Sequence, residues 1–138
     1  MREHPGMART NTPTNTTTAA STSERSPVTV VLTSEATPER AEALAHALLE
    51  QRLVACVSLL PVRSHYHWQG KIESGDEVKL LLKTTPEQLP ALHRALHALH
   101  GYQTPEWIEL SGSSCGDYGH WLVEQLNPAN EPEEPQPR

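Results

Sequence analysis

The mostly apolar run Val28-Thr29-Val30-Val31-Leu32-Thr33 is rich in β-branched side chains and predicts a first strand with Val28, Val30 and Leu32 on one face. The period then changes from two to 3.6. Ala41, Leu44, Ala45, Leu48 and Leu49 recur at helical spacing behind Thr37, a good helix cap, and Pro38, which suits the first helical position. This helix is expected to end near Arg52. Leu53 to Leu60 predicts a second strand whose alternating sets, Leu53, Ala55, Val57, Leu59 and Val54, Cys56, Ser58, Leu60, are both apolar or small. Both of its faces therefore want cover. Pro61 has no amide hydrogen to give to a ladder and predicts an edge position or a bulge. His65 to Trp68 carry the strand on to a tight turn at Gln69-Gly70. The return arm is read as Lys71 to Glu73, a kink at Ser74-Gly75, and Asp76 to Thr84, with Val78, Leu80 and Leu82 facing one way and Glu77, Lys79, Leu81 and Lys83 the other.

Thr85-Pro86-Glu87-Gln88 has the spacing of a capping box, and Leu89, Leu92, Leu96 and Leu99 form the apolar stripe of the helix it opens. Gly101 stands where that helix should stop, and Pro105 prevents re-entry. A fourth strand is expected over Glu106 to Leu110, a loop over Ser111 to Gly116, and a short helix over Asp117 to Leu126. Strand, helix, strand, strand, helix, strand is the order of an α+β, ferredoxin-like βαββαβ sandwich, here with a long central hairpin and a short C-terminal helix. Both main helices then cover one sheet face. The other is expected to carry the set of Leu53 or Val54, with Val31, Leu81 and Trp107. A monomer would leave that face exposed, which predicts a closed homo-oligomer.

Composition narrows the function classes. The 138 residues are 36% hydrophobic and 20% charged, with a mean hydropathy of −0.54, enough for one domain over residues 28–126. A formal charge of −6 without a basic run argues against nucleic acid or an anionic membrane as partner. The longest apolar run, Leu53 to Val57, falls far short of the roughly 18 residues of a membrane span. Residues 1–27, rich in Thr and Ser, and 127–138, rich in Pro and Glu, are expected to be disordered extensions without function of their own. Two cysteines give no disulfide framework, so a cytoplasmic, reducing location is expected.

Little here reads as catalysis. No glycine-rich phosphate loop occurs, and the Glu133-Glu134 pair lies in the acidic tail. His93 and His97 are four residues apart on a helix, a spacing that can hold zinc or copper, but a polar helix flank is the plainer reading. His65 and His67 share a hairpin face, where surface or subunit contact is the plainer role. Cys56 sits among apolar neighbours as a small hydrophobe and is the remaining thiol candidate for a metal; Cys115 reads as a loop cysteine.

Four blocks in order, Leu53-Val54-Ala55-Cys56-Val57, Tyr66-His67-Trp68-Gln69-Gly70-Lys71-Ile72, Glu77 to Thr85, and His100-Gly101-Tyr102-Gln103-Thr104-Pro105-Glu106, resemble the CutA family of divalent-cation tolerance proteins. The resemblance runs from about Val28 to Leu126. It implies a homotrimer akin in architecture to PII signalling proteins, and a non-enzymatic role in tolerance of copper or another divalent metal ion. By the same resemblance Trp68, Glu77, Lys83, Tyr102 and Glu106 are candidate ligand-binding positions. Copper ligands implied by the family, a Cys ending the first strand and a His-His pair before Pro-Tyr, align with Thr33, Leu99 and His100, with Gly101 at the Pro. Of these only His100 remains, so His100 and Cys56 are the candidate metal residues. The alternative is a PII-like regulator that binds a small anionic metabolite in an inter-subunit cleft near Lys83 and His100. Within the metal-tolerance reading, the role is met by weak metal binding or by relaying a signal to an unidentified protein partner.

Overall fold

A computed structural model describes residues 25–128; the expectations for residues 1–24 and 129–138 lie outside them. Along the chain come β1 (Arg25–Glu35), α1 (Pro38–Glu50), β2 (Cys56–Trp68), β3 (Lys71–Thr84), a 3-10 turn (Pro86–Gln88), α2 (Leu89–Leu99), β4 (Ile108–Cys115) and α3 (Asp117–Glu124). The strands form one sheet in the order β2-β3-β1-β4 with antiparallel neighbours, the ferredoxin-like arrangement expected. No helix among the described residues is long and apolar enough to cross a membrane.

Local chemistry explains the helix starts. Thr37 is extended, and its hydroxyl accepts the amide hydrogen of Arg40 at 3.2 Å, with Pro38 just inside the helix. The second start differs from expectation. Thr85 makes no side-chain cap, and Gln88 donates its side-chain amide to the carbonyl of Asn127 at 2.8 Å, so the capping box gives way to a 3-10 turn. That long-range bond ties the opening of α2 to the C-terminal end of the domain. Helix α2 stops at Leu99 because His100 turns extended, not because Gly101 adopts a left-handed conformation.

Leu44, Leu48, Leu80, Leu82, Leu92 and Leu96 pack with Val31, Val54 and Val78 between the helices and the sheet. Val31 is therefore on the helix-covered face, opposite Leu82 in the register, and not on the open face as the alternation suggested. Leu53, Val54 and Trp107 also join this core, while Leu99, expected in it, is 46% exposed. The open face instead holds Val30, Leu32, Leu81, Ile108 and Leu110, matched by the pairs Leu32↔Leu81, Leu32↔Ile108 and Val30↔Leu110. Helix α3 covers one end of that face, where Leu122 and Leu126 cluster with Val28, Ala55, Tyr118 and Trp121.

Element bounds differ from expectation. Strand β1 begins at Arg25 rather than Val28, so Arg25 to Pro27, expected in the disordered extension, are held by pairing with Ser113 to Cys115 of β4. Strand β2 begins at Cys56 rather than Leu53 and passes through Pro61, which is tolerated because β2 is an edge strand. The β2–β3 register runs unbroken through Ser64↔Gly75 and His65↔Ser74, so no kink forms at Ser74-Gly75. Strand β4 begins at Ile108 rather than Glu106 and includes the segment expected as a loop, with Val28↔Gly112 and Ser26↔Ser114 in register. Backbone pairing with β1 needs no apolar side chains there. The hairpin itself turns at Gln69 and Gly70, both left-handed (φ 50° and 77°), which brings the strands back with their natural twist.

Candidate functional site

The chain after α2 folds across the end of β1 and β3, and there the polar side chains of the domain converge. Strand β1 presents buried residues at every second position, Thr29, Val31, Thr33 and Glu35, so its last charged side chain is carried into the interior at 2% exposure. Glu35 Oε2 accepts the Gly101 amide at 3.0 Å, while its Oε1 is buried without a hydrogen-bond partner. Glycine at position 101 leaves room for this approach. A Cβ there would lie 3.1 Å from Glu35 Oε1 and 2.6 Å from Arg40 Nη1.

The His100 side chain is fully buried and is fixed at both ring nitrogens. The Tyr102 amide donates to Nδ1 at 2.9 Å, so the ring proton is on Nε2, which faces Thr33 Oγ1 at 3.3 Å. Nδ1 also lies 3.6 Å from Glu35 Oε2, too far for a hydrogen bond and with no proton to give.

Two further carboxylates, Glu77 of β3 and Glu106 of the loop before β4, lie beside it. Tyr102 donates its hydroxyl to Glu77 Oε2 at 2.6 Å. Burial pushes the Tyr102 phenol well above its ordinary value of 10.0, and the bond to Glu77 and the negative charge of Glu77 and Glu35 push it further. Tyr102 thus remains a neutral donor. Lys79 reaches both oxygens of Glu106, the longer contact at 2.7 Å, and Ser34 donates to Glu106 Oε1 at 3.0 Å. Both partners of this ion pair are about three-quarters buried, with 27% and 25% of their side chains exposed.

Of the residues named from the sequence, Glu77, His100 and Tyr102 share one hydrogen-bonded network, and Glu106 belongs to a second cluster with Ser34 and Lys79. Lys83 stands apart, donating to the Tyr118 hydroxyl at 3.4 Å with its ammonium 5.7 Å from that ring. Trp68 is 57% exposed at the tip of the hairpin, paired with Lys71. Cys56, in register with Lys83, belongs to the open face, whereas Thr33, which holds His100, belongs to the helix-covered one. His100 and Cys56 do not share a site. The residues around His100 do not fit a copper ion as they stand, since a ligand nitrogen would first have to lose the Tyr102 amide or Thr33. Among the described residues no three His, Cys, Asp or Glu side chains are placed to hold a metal together.

Sequence reasoning missed Glu35, Ser34 and Lys79. Lys79 was one of two lysines on the same strand face as Glu77, four residues or about 13 Å apart along a strand, and only the fold decides which meets Glu106. Glu35 carried a signal, as the fourth term of the buried alternation Thr29, Val31, Thr33, Glu35. Its meaning depended on knowing which face of β1 was buried.

The family model described as CutA1 divalent ion tolerance protein matches residues 29–125. The divalent-cation tolerance protein CutA of Pectobacterium atrosepticum is 46% identical over 88 residues, 62% of this chain and 80% of that protein. The structure of CutA from Synechococcus elongatus superposes with a TM-score of 0.72 at 37% identity, covering 78% of this chain and 99% of that one. A structure described as the periplasmic divalent cation tolerance protein CutA from Archaeoglobus fulgidus gives a TM-score of 0.68 at 29% identity, over 72% of this chain and 99% of that one. The matched residues include most of β1 and all the polar residues of the site described above, and the chain belongs to the CutA1 divalent ion tolerance protein family.

Proposed function

We propose that this chain serves divalent-metal tolerance as a non-enzymatic homotrimer whose subunits associate through the open sheet face. The observation that carries the reading is the apolar layer on that face. Leu60, Ile108 and Leu110 are 51%, 47% and 50% exposed, and Val30, Leu32 and Leu81 lie beside them only partly covered. Each large apolar side chain contributes about 1.5–3 kcal/mol when fully buried, so covering this layer is a substantial driving force. Three copies is the number the family resemblance implies. Copper or another divalent cation is the agent tolerated, through weak binding or through a partner protein that reads the assembly. Association would also enclose Cys56, while Cys115 stays exposed; the two form no disulfide, which suits a reducing, cytoplasmic setting.

Light scattering on the full chain at micromolar concentration tests the assembly. Three times the mass of 15.3 kDa is expected, and Leu81→Glu, which puts a charge in the middle of the layer, is expected to reduce it to the monomer. A monomeric mass for the unaltered protein would overturn the reading.

A further inference from the structure

On the outer side of α2, away from the open sheet face, His93 and His97 form a cluster with Trp107 that the polar network does not use. The two imidazoles are one helical turn apart and already in contact, with ring centroids 4.0 Å apart and planes inclined by 31°. His93 sets its ring against Trp107 at 4.7 Å in an edge-to-face contact, and His97 lies 6.2 Å from the same indole. Both histidines are exposed.

We propose that His93 and His97 are a surface site for a transition-metal dication, copper(II) in preference to zinc(II). The proposal deepens the divalent-metal reading above by placing a site for the ion. Its first support is the orientation of His97. Nδ1 of that ring is 2.9 Å from the carbonyl oxygen of His93, and a carbonyl only accepts, so Nδ1 carries the proton and Nε2 presents its lone pair outward. A backbone carbonyl holding the second nitrogen is the arrangement that orients metal-bound imidazoles in general.

The second support is spacing. Two nitrogens bound to one ion at about 2.0 Å each lie about 3 Å apart, and paired histidines at i and i+4 on a helix meet that demand with small side-chain rotations. Rings in contact at 4.0 Å start close to it. Two imidazoles occupy adjacent positions of a square-planar ion and leave the rest to water, which suits copper(II), the tightest binder among the divalent first-row metals. Charge assists. Trp107 donates its indole N–H to Glu109 Oε2 at 2.8 Å, which keeps a carboxylate beside the cluster.

Trp107 supplies the readout, because bound copper(II) quenches an indole in contact with its ligands. The full chain is titrated with copper(II) chloride in a non-coordinating buffer, and tryptophan fluorescence and heat are recorded together. Saturable quenching with a matching calorimetric signal is expected, and His93→Gln/His97→Gln, both exposed changes, is expected to abolish both. Trp107→Phe should keep the heat and lose most of the quenching. Unchanged binding in the double variant would overturn this site while leaving metal binding by the protein intact. Absence of saturable binding in the unaltered chain would overturn the site and metal binding together.

Discussion

Tyr102 donates its hydroxyl to Glu77 across 2.6 Å, linking the turn after α2 to the middle of β3. The phenol is held far above its ordinary pKa, first by burial and then by Glu77. An unfolded chain would release this proton near pH 10, whereas the folded chain retains it, so folding binds more protons there and stability must fall as pH rises through 10. Thermal melts from pH 8 to 11 should show this decline, and Tyr102→Phe should flatten it relative to the unaltered protein. At neutral pH the same substitution should cost about 1.5–3 kcal/mol, the range of a hydrogen bond to a charged group. A decline equally steep in both proteins would remove Tyr102 from the explanation.

Lys79 and Glu106 form an ion pair that is neither open to solvent nor fully buried. Breaking it with Lys79→Met should cost more than the roughly 1 kcal/mol of an exposed pair and less than the 3–5 kcal/mol of a buried one. The loss is larger than the pair's own worth, because Glu106 would be left facing Ser34 alone. Adding Glu106→Gln to Lys79→Met should therefore recover part of the stability in urea unfolding. Strict additivity of the two substitutions would mean that they do not interact.

Gly101 is held to glycine by neighbours rather than by its backbone angles. Its substitution by alanine should cost about 1 kcal/mol as the Arg40 side chain and the Glu35 carboxylate adjust to the added methyl. Because the guanidinium is the nearer of the two contacts, the cost should shrink in an Arg40→Ala background. Chemical denaturation of the four proteins measures both values, and an equal cost in the two backgrounds would assign the crowding to Glu35.

Thr37 caps α1 through a bond from Arg40 N. Thr37→Ala should lower the unfolding free energy by about 1 kcal/mol, and Thr37→Asp should restore most of it, since aspartate accepts the same bond. Calorimetric melting of the three proteins is the check.

The element order was legible because each segment carries its own signature: six β-branched or apolar residues at Val28 to Thr33, then the 3.6-residue stripe of α1, then the alternating arms of one hairpin. Turn chemistry was equally local. Gln69-Gly70 and Thr37-Pro38 act through their own backbone and nearest neighbours, and the structure has both where the sequence placed them. The candidate site was half legible. The turn from His100 to Glu106 could be singled out as polar and exceptional, and Tyr102 does meet Glu77, but Glu35 behind His100 and the partners of Glu106, Ser34 and Lys79, could not be named.

By itself the sequence determined the α+β class, the long hairpin and the apolar character of both sheet faces, because periodicity and turn residues act within a few positions of the chain. Only the tertiary structure decided which face of β1 lies under the helices. Val28-Thr29-Val30-Val31-Leu32 is apolar or small on both sides, so alternation alone cannot choose, and the register with Leu80 and Leu82 of β3 makes the choice. That one decision carries Val31 and Glu35 inward, sends Val30 and Leu32 to the open face, and sets the buried carboxylate against Gly101 and His100. It also leaves Cys56 on the other face from His100. Contacts between residues about 65 positions apart depend on strand register and helix docking, which no local pattern encodes.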